Sequence, residues 1–318
     1  MQMRSSGYWL SACLAAVALA GLPTVAAAGD WDACEKQSGD LAVAGCSRAI
    51  DSHQYTGRDL ARLYAGRGVA YLAQGDLDHA MADFNASMRV DPTYARAYYD
   101  RGNIWYRTGD LDRAIADFSE AIRLDPKSEK AEYAYANRGS AWGAKGEFDR
   151  AIADFDQAIR LDPKDAAAYY DRGIAWKGKG DLDRAIADFS EAIRLDPKEA
   201  KAYYNRGSAW GTKGEFDRAI ADFDQAIRLD PKDASAYVNR GIAWKGNGNL
   251  DRAIADYSEA IRLDPKDANA YYNRGIAWMK KRSLQEALAD FETYSRLVPS
   301  DPDGPRSVEL VRKELSAR

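Results

Sequence analysis

The sequence predicts an all-α fold, a stack of antiparallel helix pairs made from one unit repeated seven times. Three observations carry that reading. Pro92, Pro126, Pro163, Pro197, Pro231, Pro265 and Pro299 recur at a step of 34 residues, except that one interval holds three more near Ser128-Glu129-Lys130. Within each unit the order is constant: a tyrosine, Arg-Gly, an aromatic, a Gly-Asp-like turn, then Ala, Phe or Tyr, and the proline. Each half of a unit also places its apolar residues on one helical stripe, as Tyr203, Gly207 and Trp210 do at i, i+4 and i+7.

The elements follow in order. Met1–Arg4 is a short basic start, Trp9–Val25 is mostly Leu, Ala and Val, and Ala26-Ala27-Ala28 offers small residues to a signal peptidase. Residues 1–28 read as a secretory signal cut near Ala28; the competing reading is a lipoprotein anchored at Cys13, from the box Leu10-Ser11-Ala12-Cys13. Export leaves Cys34 and Cys46 in an oxidising compartment, and an even pair there reads as a disulfide. His53 and His79 cannot complete a metal cluster with them, so no metal or cofactor is expected. Residues 29–60 read as a degenerate helix pair that caps the array, stapled by Cys34–Cys46 with a contribution on the order of 3 kcal/mol.

Inside a unit, residues 203–214 form a first helix that Gly214-Glu215 breaks, and Glu215 is placed to accept from the amides opening the second. Ala219, Phe223, Ala226 and Ile227 share a face of that second helix, and Leu229-Asp230 before Pro231 ends it. Gly207 and Ala219 allow close approach. The tryptophans at 105, 142, 176, 210, 244 and 278 are expected to fill the gap between neighbours, so that truncation would cost roughly 3–5 kcal/mol. On these residues the chain resembles the tetratricopeptide repeat family over residues 61–301, as units 61–94, 95–131, 132–165, 166–199, 200–233, 234–267 and 268–301. The resemblance implies a right-handed superhelical solenoid that binds proteins. Residues 132–199 resemble 200–267, a two-repeat block in tandem. Residues 302–318 form a terminal capping helix with Val308, Val311 and Leu315 inward, and Ser283 with Glu286 reads as a capping box.

The formal net charge is −4 with both signs mixed along the chain, so no basic nucleic-acid face is expected. There is no nucleophile motif, phosphate loop or metal set, and the chain reads as non-catalytic. One Arg precedes each Gly, where the family more often has a leucine-like residue, and one Asp precedes each second-helix aromatic. Together they suggest an internal ion-pair ladder, with an anion-binding row as the rival. At about 100° per residue, a separate arc of each first helix carries Asp100, Asn137, Asp171, Asn205, Asn239 and Asn273 beside Tyr99, Tyr170, Tyr204 and Tyr272; Gly66 breaks the row in the first unit. An Asn can pair with both N–H and C=O of an extended peptide. The row resembles the asparagine ladder in the tetratricopeptide superhelix of the O-linked N-acetylglucosamine transferase, carried over to Asn137, Asn205, Asn239 and Asn273. Asp100 and Asp171 depart from it and would favour basic or hydroxyl-bearing ligand there. The expected function is a periplasmic or secreted adaptor that holds an extended peptide segment of partner proteins. The alternative is a structural protein that self-associates through repeat edges or its convex face.

Overall fold

The computed structural model describes residues 25–127 and 129–317, which form seventeen α-helices and no strand. The expected signal segment and Cys13 lie outside the described residues, apart from Val25–Ala28, whose backbone opens the first helix. Contacts divide the chain into two units at Ala97/Tyr98. The first holds α1 (Val25–Lys36), α2 (Gly39–Asp51), α3 (Gly57–Gln74) and α4 (Leu77–Val90). The second holds most of α5 (Ala95–Thr108), then α6 (Leu111–Leu124), α7 (Glu129–Ala144), α8 (Phe148–Leu161), α9 (Ala166–Lys179) and α10 (Leu182–Leu195). It continues with α11 (Ala200–Thr212), α12 (Phe216–Leu229), α13 (Ala234–Gly246), α14 (Leu250–Leu263), α15 (Ala268–Lys280), α16 (Leu284–Leu297) and α17 (Asp303–Ser316). The three extra residues lengthen α7 at its N-terminus by nearly one turn, so the insertion leaves the repeat behind it in step.

In the first unit, a Cys34–Cys46 disulfide ties α1 to α2. A Cβ on Gly66 would lie 3.2 Å from the Cys34 sulfur, which is why the polar row cannot begin there. The pair packs with Ala49, Ile50 and Leu63.

The core of every repeat is the second-helix aromatic. Phe84, Phe118, Phe155, Phe189, Phe223, Tyr257 and Phe291 are all fully buried, each beneath the Arg-Gly glycine of its own unit. At Gly173 an added Cβ would come within 2.7 Å of the Phe189 ring, so the close approach read from the sequence is real. The tryptophans differ from expectation. They are half-buried, and in all but Trp278 a guanidinium covers one face, as with Arg184 4.4 Å above Trp176 and Arg218 4.6 Å above Trp210. A Trp sits one turn closer to the loop than the glycine. It therefore seals the edge of the core while the phenylalanine fills its centre.

Helix starts also correct the sequence. Asp76, Asp110, Asp181 and Asn249 cap their helices by accepting from the amide three residues on, at 3.1–3.2 Å. Glu147, Glu215 and Ser283 make no such bond, so neither the Glu215 cap nor the Ser283–Glu286 box forms. All these caps sit at ψ 62–85°, where the Asp and Asn side chains reach the amide and the longer Glu does not. After each first helix a glycine takes positive φ, at Gly75, Gly109, Gly146, Gly180, Gly214 and Gly248; Arg282 does the same at φ 64° without the freedom glycine has. In the last repeat α17 buries Val311 against Leu284, Ala287 and Phe291, with Val308 and Leu315 beside it, as the stripe implied.

The ion-pair ladder forms, inside each repeat. Arg67–Asp83, Arg101–Asp117, Arg138–Asp154, Arg172–Asp188, Arg206–Asp222, Arg240–Asp256 and Arg274–Asp290 are bidentate at 2.6–2.9 Å, and every one of these aspartates is buried. Each guanidinium also lies over the tyrosine three residues before it, as Arg206 does over Tyr203 at 5.8 Å. The remaining nitrogen reaches the preceding repeat: Arg172 meets Asp156 and Arg240 meets Asp224, whereas Arg138, Arg206 and Arg274 meet Ser119, Ser190 and Ser258. With their donors spent internally, these arginines are not an anion-binding row. Removing one partner of such a buried pair costs about 3–5 kcal/mol, so each pair locks the two helices of its own unit together.

The two-repeat alternation has a packing counterpart. Phe148 opens α8 and lies under Gly178 of the next repeat, where a Cβ would meet its ring at 2.5 Å; Phe216 and Gly246 repeat the arrangement at 2.5 Å. In the intervening units Leu182 and Leu250 take the Phe position, and Thr212 stands where Gly178 and Gly246 stand.

Candidate functional site

In the second unit, α7, α9, α11, α13 and α15 touch one another in succession, while the second helices make no comparable contact among themselves. The first helices therefore form the tighter, inner layer, and the predicted polar row lies along it. The structure brings Asn137, Asp171, Asn205, Asn239 and Asn273 together as half-buried residues on that face. Asp100, at the start, is 8% exposed, so it belongs to the packed interior rather than to the open row.

The asparagines are not free. Asn205 donates both amide hydrogens, to the Tyr170 hydroxyl at 3.0 Å and to the Lys201 carbonyl at 3.0 Å. Asn239 does the same with Tyr204 at 2.8 Å and the Ser235 carbonyl at 2.9 Å. Asn137 donates to Tyr99 at 3.2 Å and to Asn103 at 2.8 Å. The second tyrosine of the motif is thus the acceptor for the next repeat's amide, and its ring leans on the core: Tyr99 on Phe118, Tyr170 on Phe189, Tyr204 on Phe223 and Tyr272 on Phe291, at 5.7–6.0 Å. Burial pushes the phenols of Tyr99, Tyr170 and Tyr204 above their ordinary range, which keeps them neutral.

Three charged groups stand apart. Asp171 makes no hydrogen bond or ion pair within the described residues. Burial, reinforced by Asp165, pushes its carboxyl up to about 6. Lys177 donates to Asn205 Oδ1 and Ser208 Oγ, both at 3.2 Å, and Lys245 donates to Asn273 Oδ1 at 2.8 Å. Neither ammonium has a carboxylate partner, and burial lowers both pKa values. By contrast Lys145, Lys179, Lys213 and Lys281, near the ends of the first helices, each pair with an aspartate of the preceding repeat: Asp112, Asp149, Asp183 and Asp251. Between α11 and α13 a cavity of about 280 Å³ opens on this face, floored by Phe216, Phe223 and Ala243 and rimmed by Ser208, Asn239 and Ile242. Ile242 and its counterpart Ile174 are each 38% exposed. The isoleucines, the cavity and the lysine acceptors were missed from sequence; the alternation of Ser208 and Gly211 with Ile242 and Lys245 was their signal.

A profile described as tetratricopeptide repeat matches residues 65–129, 137–200, 177–234 and 204–257, and another described as TPR repeat matches 246–281. The chain belongs to the tetratricopeptide repeat family. Solved tetratricopeptide repeat structures share its fold. One from Parabacteroides merdae is 22% identical with TM-score 0.57, over 79% of this chain and 98% of that one. MamA is 29% identical with TM-score 0.50, over 55% and 93%. YrrB, described as a repeat protein with an unusual peptide-binding site, is 24% identical with TM-score 0.52, over 60% and 97%. Comparison with curated proteins finds no match. Among the described residues no group of His, Cys, Asp or Glu could hold a metal ion, and no helix is long and apolar enough to cross a membrane.

Proposed function

We propose that this tetratricopeptide repeat protein is a non-catalytic adaptor that holds an extended segment of a partner protein along the inner layer of its first helices, in the cell envelope after export. Repeats of this family are protein-interaction modules. The observation that carries the reading is that the inner layer combines half-buried charges lacking counter-charges with exposed isoleucines and an open cavity. Such a surface gains from being covered. YrrB is a relative of the same fold whose description names a peptide-binding site. Because the asparagine amides are committed to tyrosines, the row acts as a braced wall, and the ligand is met by what projects from it: Asp171, Ile174, Lys177, Ile242 and Lys245.

The test is a photo-crosslinking residue at Ile242, with a second at exposed Arg194 on α10 as control, in the exporting cell. A captured chain unique to the Ile242 position is the expected result. Equal capture at both positions, or self-crosslinks only, would reject the adaptor in favour of self-assembly.

A further inference from the structure

Within the second unit, the inner face carries an ordered charge pattern. Lys177 and Lys245 occupy the same place in successive two-repeat blocks, and each reaches across to the next first helix. The receiving positions are neutral, Asn205 with Ser208 and Asn273, whereas the lysines near the ends of the first helices are matched with aspartates. The groove lysines are therefore the ammoniums that the fold buries halfway and leaves without an anion. Between their two heads lies the cavity floored by Phe216 and Phe223, and its rim residue Ser208 is the one whose hydroxyl accepts from Lys177. On the other side of Lys177, toward the N-terminus, stands Asp171, a carboxylate without a cation.

We propose that the ligand of this groove is an extended segment with two internal acidic side chains, one on Lys177 and one on Lys245, and an aliphatic side chain between them in the Phe216–Phe223 cavity. This rests on the adaptor reading and adds the ligand's sequence class. A carboxylate arriving at either lysine gives the ammonium a charged acceptor in place of a neutral amide or hydroxyl oxygen, and so supplies the counter-charge that the fold leaves out. Spacing follows from packing. Helix axes about 10 Å apart put equivalent points two repeats apart at about 20 Å. An extended chain at ~3.3 Å per residue covers that in about six residues, an even step that keeps both acids on one face. A basic residue flanks the pair on the Asp171 side. The chain can run in either direction, since the contacts are to side chains.

The test uses the purified chain with its disulfide intact and a phage-displayed library of random peptides about twelve residues long. The selected peptides are expected to carry two Asp or Glu about six residues apart with Leu, Ile, Val or Met between. Binding of one such peptide, measured by fluorescence anisotropy, should weaken about tenfold when its acids become amides and about tenfold in the Lys177→Met/Lys245→Met variant. The amide peptide on the unaltered protein keeps the test valid if the variant folds poorly. Peptides that bind without acidic enrichment, or with affinity indifferent to both neutralisations, overturn this assignment and leave the groove standing. A library that yields no binder overturns the groove as well.

Discussion

Tyr257 offers a direct measure of how the repeat core is built. Six sister repeats have Phe at this position, and the Tyr257 hydroxyl is the one buried side-chain polar atom without a hydrogen-bond partner among the described residues. Its ring lies beneath Gly241 as the others lie beneath their own glycines, so Tyr257→Phe removes the oxygen and leaves the packing in place. A hydroxyl buried without a partner costs about 1–3 kcal/mol. The vacated space is on the order of 10–15 Å³ and returns only ~0.3 kcal/mol as cavity cost. The substitution should therefore stabilise by about 1–2 kcal/mol, read as a later urea midpoint at unchanged slope and a melting temperature raised by roughly 2–4 °C per kcal/mol. The reciprocal Phe223→Tyr should destabilise, because the Tyr204 ring stands 5.8 Å from Phe223 where Val238 stands beside Tyr257. Loss of stability in Tyr257→Phe, or equal effects of the two changes, would refute the argument by showing that the hydroxyl is satisfied.

Glu132 is nearly buried, and desolvation, with Asp165 and Asp162 nearby, pushes its carboxyl from 4.5 up to about 7. The folded state holds this proton more tightly than the unfolded chain, so the contribution is full below about pH 4.5 and is lost as pH rises through 7; Glu132→Gln should raise the melting temperature at pH 8 and leave it nearly unchanged at pH 4.5. Arg282 adopts φ 64° where other repeats have glycine, and Arg282→Gly should stabilise by about 1 kcal/mol in urea titration. Deleting residues 166–199 would set Phe148 against Thr212, whereas deleting 166–233 sets it against Gly246, so the longer deletion should give the higher melting temperature. The overpacked junction should cost about 1–3 kcal/mol.

The fold was legible because its determinants are local and periodic. The proline step, the Arg-Gly small residue and the second-helix stripe each act within a single unit, and the Arg–Asp pairs join residues 16 apart in the sequence. The tryptophan burial was misjudged because a helical wheel gives angle but not height: Trp210 faces its neighbours yet sits a turn nearer the loop than Gly207, at the edge of the core. The caps were misjudged because reach decides them, and one methylene separates Asp181, which bonds Arg184 N at 3.1 Å, from Glu215, which bonds nothing there. The candidate site was half legible. The arc carries Asn137, Asp171, Asn205, Asn239 and Asn273 half-buried on one face while Asp100 is packed inside, and the sequence could not say which of them were already occupied.

Occupancy on that arc is itself set by one neighbouring position. A tyrosine ring carries its hydroxyl far enough from the backbone to span the gap between adjacent first helices, so a row residue preceded one repeat earlier by Tyr is captured: Asn137 by Tyr99, Asn205 by Tyr170, Asn239 by Tyr204. Where the preceding residue is short, no hydroxyl arrives. Ala136 precedes Asp171, which is left without a partner; Val238 precedes Asn273, whose amide donates only to the Asn269 carbonyl. The two tyrosine-poor repeats thus leave Asp171 and Asn273 without a hydroxyl from the preceding repeat, while the tyrosine-rich ones hold the amides of Asn137, Asn205 and Asn239. The double tyrosine of YYNRGSAW braces the stack, and its absence two positions before Arg138 and Arg240 leaves the next row residue without that brace.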